Sequence, residues 1–124
     1  VVLTGGEPML QVDDALIDAL HAHHFEIAIE TNGTLAVHPG IDWVCVSPKA
    51  RGVLVQREGH ELKLVFPQEG AEPERYAGLR FEHFFLQPMD DLLRSKNTER
   101  CVAYCRAHPE WRLSLQTHKL LGIP

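Results

Sequence analysis

Short apolar runs alternate with helical patterns along this chain of 124 residues. The first apolar run covers residues 1–4 and stops at a pair of glycines, Gly5 and Gly6. Over residues 12–24 the apolar side chains recur at helical spacing, and Asp13 and Asp14 suit the first turn of that helix. Further strands are predicted at 25–30, 43–46, 61–66, 83–86 and 111–115, with a short helix at about 73–77 and a longer one at about 98–107.

This alternation of strands and helices predicts an α/β fold with a largely parallel sheet. The helical signal is weak between the second and fourth strands, so we expect a partial (β/α) barrel rather than a complete one. No repeat or linker divides residues 1–124, which we interpret as part of a single domain. Because the first residues resemble a buried strand without a leading turn, we expect a chain that is truncated at its N-terminal side.

Composition and charge narrow the class of protein. Hydrophobic residues make up 44% of the chain and charged residues 23%, as in ordinary globular proteins. Twelve basic and seventeen acidic side chains give a formal charge of −5, which disfavours a nucleic acid or an anionic membrane as partner. No apolar run approaches the roughly 18 residues of a membrane span. Three cysteines without an export signal favour a cytoplasmic protein over a disulfide framework.

Polar or glycine-containing clusters follow several of the predicted strands. In chain order they are TGGEP, ETNG, SPK, QPMD and QTHK. Ligand sites of parallel α/β folds lie at the carboxyl ends of the strands, where such loops converge. We therefore expect one shared binding site at this edge, with ordinary turn chemistry as the alternative.

The first cluster has the most specific chemistry. Two glycines after a strand allow a sharp turn and a close approach of the backbone to a ligand, and Glu7 adds an acceptor for a cationic group. GGEP in this position resembles the motif with which radical S-adenosylmethionine enzymes hold the amino group of the methionine moiety. The ordered clusters together, ending in SLQTHKLLGIP, resemble the 7-carboxy-7-deazaguanine synthases of that superfamily from residue 1 to residue 124.

The resemblance implies a partial (β/α) barrel of the radical S-adenosylmethionine type, truncated at its N-terminal side, and the activity of a carbon–nitrogen lyase. Such an enzyme contracts the ring of 6-carboxy-5,6,7,8-tetrahydropterin to 7-carboxy-7-deazaguanine and releases ammonia, on the route to queuosine and related 7-deazapurines of tRNA. It implies S-adenosylmethionine, a [4Fe–4S] cluster and Mg²⁺ as cofactors. It also implies a homodimer and an electron donor such as flavodoxin or ferredoxin.

The resemblance also assigns residues to the two ligands. The substrate would contact Thr4, His118 and the free carboxylate of Pro124. Glu30 and Asn32 are assigned only to the neighbourhood of the site. The S-adenosylmethionine would be bound by Gly6, Glu7, Ser47, Pro48, Lys49, Gln87, Pro88, Met89 and Asp90.

The chain departs from the family in lacking the C-x₃-C-x₂-C motif that binds the cluster. Cys101 and Cys105 have the first spacing but lie in a predicted helix without a third cysteine, and we interpret them, with Cys45, as core residues. The family's magnesium-binding threonine is also expected upstream of Val1. We therefore assign no metal ligand and no catalytic residue to this segment.

Other interpretations remain open from the sequence. The chain could be a non-catalytic S-adenosylmethionine or nucleotide-binding fold, although the glycine-rich loop of a methyltransferase is missing, or an inactive fragment. His21, His23 and His24 cluster at a helix end, where solvated histidines are commoner than a metal site.

Overall fold

Six parallel strands form one sheet in the computed structural model, which describes residues 1–123. Their order in the sheet is the same as their order in the chain, and the first and last strands do not pair. The strands are β1 (Val2–Leu3), β2 (Ala28–Thr31), β3 (Trp43–Val46), β4 (Glu58–Phe66), β5 (Arg80–Pro88) and β6 (Trp111–Leu113). The prediction of an α/β fold with a parallel sheet is confirmed, and the open sheet is that of a partial barrel.

Among residues 1–123, two α-helices and two short 3₁₀ helices connect strands, and a third α-helix follows the last strand. They are α1 (Asp14–Ala22), α2 (Arg94–Ala107), α3 (Thr117–Leu121) and the 3₁₀ turns Pro8–Leu10 and Pro73–Arg75. Helix α1 begins where Asp13 accepts a 2.9 Å hydrogen bond from the Leu16 N–H, so this residue caps the helix. Within residues 1–123 no helix joins β2 to β3 or β3 to β4, in agreement with the weak helical signal there.

One face of the sheet carries the hydrophobic core. The strand register sets Ile29 beside Val44, Val46 beside Leu62 and Leu64 beside Leu86, each in contact with the buried cluster. Helix α1 adds Ile17, helix α2 adds Cys101, and Trp111 of β6 belongs to the same cluster. Because side chains alternate along a strand, the intervening residues point to the opposite face of the sheet.

Several element boundaries differ from the sequence predictions. Strands β4 and β5 each begin three residues earlier than expected, because their pairing continues through polar positions from Glu58 and Arg80. Helix α2 begins at Arg94, four residues before the predicted start, in a polar stretch without apolar periodicity. The helix predicted at 73–77 is a single 3₁₀ turn, and α3 was not predicted. None of the helices described is long and apolar enough to cross a membrane.

Candidate functional site

A cavity of about 540 Å³ opens at the carboxyl edge of the sheet. Residues from all six strands or the loops that follow them contribute to its wall. The lining residues are Thr4, Gly5, Gly6, Glu30, Thr31, Asn32, Ser47, Lys49, Lys63, Val65, Gln87, Ser114, Leu115, Gln116 and His118. The clusters that follow the strands therefore meet around a single space, because parallel strands end at the same edge.

Two glycines in these loops have backbones that other residues rarely adopt. Gly5 has φ of +96° and lines the cavity, so the loop after β1 turns without a side chain that would obstruct a ligand. Gly33 has φ of +76°, and a Cβ there would lie 2.7 Å from both Leu54 and Val46 side-chain atoms. The ETNG loop consequently requires glycine for both its conformation and its packing.

The Glu7 carboxylate joins the loops that follow β1 and β2. Its Oε1 accepts hydrogen bonds from the Thr31 hydroxyl at 2.7 Å and from the Met9 N–H at 3.2 Å. Its Oε2 accepts from the Asn32 N–H at 2.8 Å. Glu7 lies outside the main cavity and lines an adjoining one of about 410 Å³ with Gly5, Gly6 and other residues. Its carboxylate thus orients both loops, whatever else it binds.

Lys49 is a cation that faces the main cavity. Its Nζ donates a 3.0 Å hydrogen bond to the Ser47 hydroxyl, and among residues 1–123 no carboxylate forms an ion pair with it. Burial lowers the pKa of Lys49, and the nearby charge of Lys63 lowers it further, whereas Glu30 acts in the opposite direction. A bound anion would relieve both unfavourable effects, so this end of the cavity favours a carboxylate or phosphate. Pro48, between the two polar residues, is fully buried and does not line the cavity.

Lys63 and Glu30 form an ion pair on the wall of the same cavity. Their Nζ and Oε1 atoms are 2.7 Å apart, and the lysine side chain is only 19% exposed. Burial by itself lowers the pKa of Lys63, but the hydrogen bond to Glu30 and the surrounding negative charges outweigh it and raise the pKa. Sequence reasoning assigned Glu30 only to the neighbourhood of the site and missed Lys63. The available signal was a lysine at an alternating position between the buried Leu62 and Leu64.

The QPMD loop, which begins with the last two residues of β5, is fixed by a buried asparagine of helix α2. Asn97 is 3% exposed, and its Nδ2 donates to the Met89 carbonyl at 3.0 Å and to Asp91 Oδ1 at 2.9 Å. Asp90 forms an ion pair with Lys119 of α3, and this interaction is the main cause that lowers the pKa of Asp90. The loop and the last helix are therefore connected on the surface beside the cavity.

The residues expected at the site fall into separate groups. Those that line the main cavity are Thr4, Gly6, Ser47, Lys49, Gln87 and His118, together with Glu30 and Asn32. Pro88 instead lines a smaller cavity of about 160 Å³ beside Leu115 and Leu120. Met89 and Asp90 line neither of these two cavities. Pro124 lies outside the described residues. Ser114 and Gln116 also line the main cavity. Sequence reasoning included Gln116 in the QTHK cluster without giving it a role and did not single out Ser114.

The cysteines of this chain are not arranged to bind a metal. Cys45 and Cys101 are buried, and burial raises the pKa of each thiol to about 12. Neither of them, nor Cys105, lines the main cavity. In the described part of the chain no three histidine, cysteine or acidic residues are grouped so that they could hold a metal ion. His21 of the histidine cluster lies 3.2 Å from Asp42 instead.

Comparison with known proteins gives relatives along the whole chain. It is 64% identical over 124 residues to the 7-carboxy-7-deazaguanine synthase of Bordetella pertussis and covers 59% of that protein. It is 66% identical over 123 residues to the enzyme of the same name from Bradyrhizobium diazoefficiens, again covering 59% of it. The crystal structure of QueE from Escherichia coli matches 94% of this chain and 55% of its own, with a TM-score of 0.73 and 36% identity. No protein-family model matches the chain.

Proposed function

Because the chain is similar along its whole length to 7-carboxy-7-deazaguanine synthases, we propose that the protein containing it belongs to that family and catalyses its reaction. The substrate is 6-carboxy-5,6,7,8-tetrahydropterin, and the products are 7-carboxy-7-deazaguanine and ammonia. The chain spans 59% of the length of these relatives, so the activity is proposed for the whole protein. Residues 1–124 are the C-terminal portion of its single core domain.

The observation that carries this proposal is the composition of the main cavity. Thr4, Lys49 and His118 come from separate motifs far apart in the chain, yet they line one space of about 540 Å³. This volume falls within the range of roughly 300–1,000 Å³ that is usual for small-molecule sites. The cavity offers hydrogen-bond donors, acceptors and an ammonium group to ligands that carry carboxylates, as both the pterin and S-adenosylmethionine do.

The residues present fit S-adenosylmethionine. Lys49 would bind the carboxylate of the methionine moiety, with Ser47 beside it, and the backbone of Gly6 would allow the ligand to approach closely. Glu7 remains a candidate for the amino group, and Pro48 contributes by fixing the turn. The adenosine part would lie along the QPMD loop, where Gln87 lines the main cavity and Pro88 the smaller one. Met89 and Asp90 of the same loop are proposed as further contacts. When bound, S-adenosylmethionine supplies the radical that removes a hydrogen atom from the pterin.

The pterin occupies the remainder of the cavity in this proposal. Thr4 and His118 bind it from opposite ends of the sheet, since they follow β1 and β6 respectively. The carboxylate of Pro124 is proposed as a further contact. These chain residues would orient the substrate.

The described residues do not fit a [4Fe–4S] cluster or Mg²⁺, because no cysteine and no metal-binding group lies at the cavity. We assign the ligands of both to the portion of the relatives' length that this chain does not span. The remaining features proposed are a homodimer, a flavodoxin or ferredoxin donor, and a reducing cytoplasm, which the unpaired thiols support.

The test is an assay of the full-length protein. Its gene should encode C-x₃-C-x₂-C before the segment that starts at Val1. After anaerobic reconstitution, reduction in the presence of the carboxypterin should yield 5′-deoxyadenosine and 7-carboxy-7-deazaguanine, detected by mass spectrometry. Lys49→Met should lower this yield strongly, whereas Lys96→Met on the exposed face of α2 should not. A methylated product, or 5′-deoxyadenosine formed independently of the pterin, would contradict the proposal.

A further inference from the structure

Two lysines face the main cavity, and they differ in what holds their ammonium groups. Lys63 donates a 2.7 Å hydrogen bond to the Glu30 carboxylate. Lys49 donates only to the Ser47 hydroxyl, as far as residues 1–123 show. The cavity wall therefore has two lysines and one carboxylate, and that carboxylate forms its ion pair with Lys63.

The strand register shows how Glu30 reaches its partner. Glu30 of β2 lies beside Cys45 of β3, and Cys45 lies beside Glu61 of β4, two residues before Lys63. The Glu30–Lys63 pair therefore crosses over β3, a distance of about 10 Å between the outer backbones. Strand β3 is also the strand that leads into Ser47 and Lys49, so Glu30 passes near Lys49 without pairing with it.

We propose that Lys63 is a positioning residue that keeps the Glu30 carboxylate away from Lys49, so that Lys49 stays available for the carboxylate of bound S-adenosylmethionine. This inference rests on the proposed function, in which Lys49 binds that carboxylate. Lys63 does not touch the ligand in this scheme. It acts by removing an internal competitor for the ammonium group of Lys49.

The charges around Lys49 support this role. Glu30 is the one carboxylate whose charge acts to raise the pKa of Lys49. Within the described residues it is therefore the group that would compete with a ligand carboxylate for the Lys49 ammonium group. Without Lys63, the Glu30 carboxylate, whose side chain is 46% exposed, would lose its hydrogen-bond partner on the cavity wall. Glu30 would then be free to turn towards the ammonium group of Lys49, and an incoming ligand carboxylate would have to displace it.

The experiment compares two ligands of the full-length holoenzyme. The dissociation constants of S-adenosylhomocysteine and of its decarboxylated analogue are measured by isothermal titration calorimetry, and their ratio reports the carboxylate contact alone. In Lys63→Met the preference for the carboxylate-bearing ligand should fall roughly five- to tenfold. Lys63→Arg should keep the preference because it preserves the ion pair. The double variant Lys63→Met/Glu30→Gln should regain it, since the competitor has lost its charge.

The outcomes separate this inference from the proposed function. If Lys49→Met leaves the preference intact, the assignment of Lys49 to the carboxylate fails, and this inference fails with it. If Lys49→Met abolishes the preference but Lys63→Met does not change it, only the positioning role is overturned. An equal weakening of both ligands in Lys63→Met, or no recovery in the double variant, also overturns it, because Lys63 would then be merely structural. Lys96→Met is the control and should match the unmodified protein.

Discussion

The Thr31 hydroxyl donates a 2.7 Å hydrogen bond to Glu7 Oε1 and so joins the loops that follow β1 and β2. Thr31 is 3% exposed, and its Oγ1 also accepts a 3.0 Å hydrogen bond from the Gly33 N–H. One buried hydroxyl therefore connects the TGGEP and ETNG loops and shapes the turn of the second. This arrangement makes the geometry of the cavity wall depend on a side chain that is almost inaccessible to ligands.

Replacing Thr31 by valine should destabilise the protein although its shape is preserved. The substitution leaves the Gly33 N–H without an acceptor and removes one donor to Glu7, for an expected cost of about 2 kcal/mol in the free energy of unfolding. Urea denaturation measures this cost. Thr31→Ser keeps the hydroxyl and is the matched control, with a smaller loss from the missing methyl group. Equal losses in the two variants would show that packing, and not the hydroxyl, matters.

Asn97 should tolerate no change that removes its donor group. Asn97→Ala loses both hydrogen bonds of Nδ2 and should lower the free energy of unfolding by about 2 kcal/mol. Asn97→Asp keeps the size but turns a carboxylate towards the Met89 carbonyl and Asp91, so it should cost more than alanine. Chemical denaturation at neutral pH gives the order of the variants. The exposed Lys96→Ala serves as control, with an effect within about 0.5 kcal/mol. If the aspartate variant were as stable as the alanine variant, the two hydrogen bonds donated by Asn97 would not fix the loop.

Much of the site could be predicted because it lies where strands end. Parallel strands bring their carboxyl ends to one edge, so Thr4, Lys49 and His118 could be grouped from the sequence without any knowledge of contacts. The glycine-rich turn after β1 was equally visible, since Gly5 and Gly6 directly follow an apolar run.

What could not be predicted depends on register and tertiary packing. The Lys63–Glu30 pair crosses an intervening strand, and the sequence does not specify how β2, β3 and β4 align. Asn97 lies in a polar stretch, where periodicity gives no sign that one amide is buried. Helix α3 has five residues, too few to show a helical pattern.

The buried thiols should be unreactive in the folded protein. With a pKa of about 12, only roughly 10⁻⁴ of the Cys45 and Cys101 thiols is ionised at a pH of about 8, and both are shielded from reagents. Cys105 is partly exposed and should be alkylated by iodoacetamide before the other two. Peptide-level mass spectrometry of a time course measures the three rates, and unfolding in guanidinium should make them similar. Fast alkylation of Cys45 in the native protein would contradict this packing.

Acidification should release helix α3 from the QPMD loop. The hydrogen bond and charge of Lys119 hold the pKa of Asp90 below its usual 3.8, so the ion pair stabilises the folded state above that value. Its contribution is lost as the pH falls through the lower pKa of the folded state, because the protonated carboxyl no longer attracts the ammonium group. Both groups are accessible to solvent, so salt on the order of 1 M should weaken the same contact.

Hydrogen exchange of the α3 amides measures the release. In Asp90→Asn the α3 amides should show low protection at every pH. Lys119→Met removes the other partner of the ion pair and should have the same effect. If α3 in Asp90→Asn stays as protected as in the unmodified protein at neutral pH and low salt, the ion pair does not hold the helix.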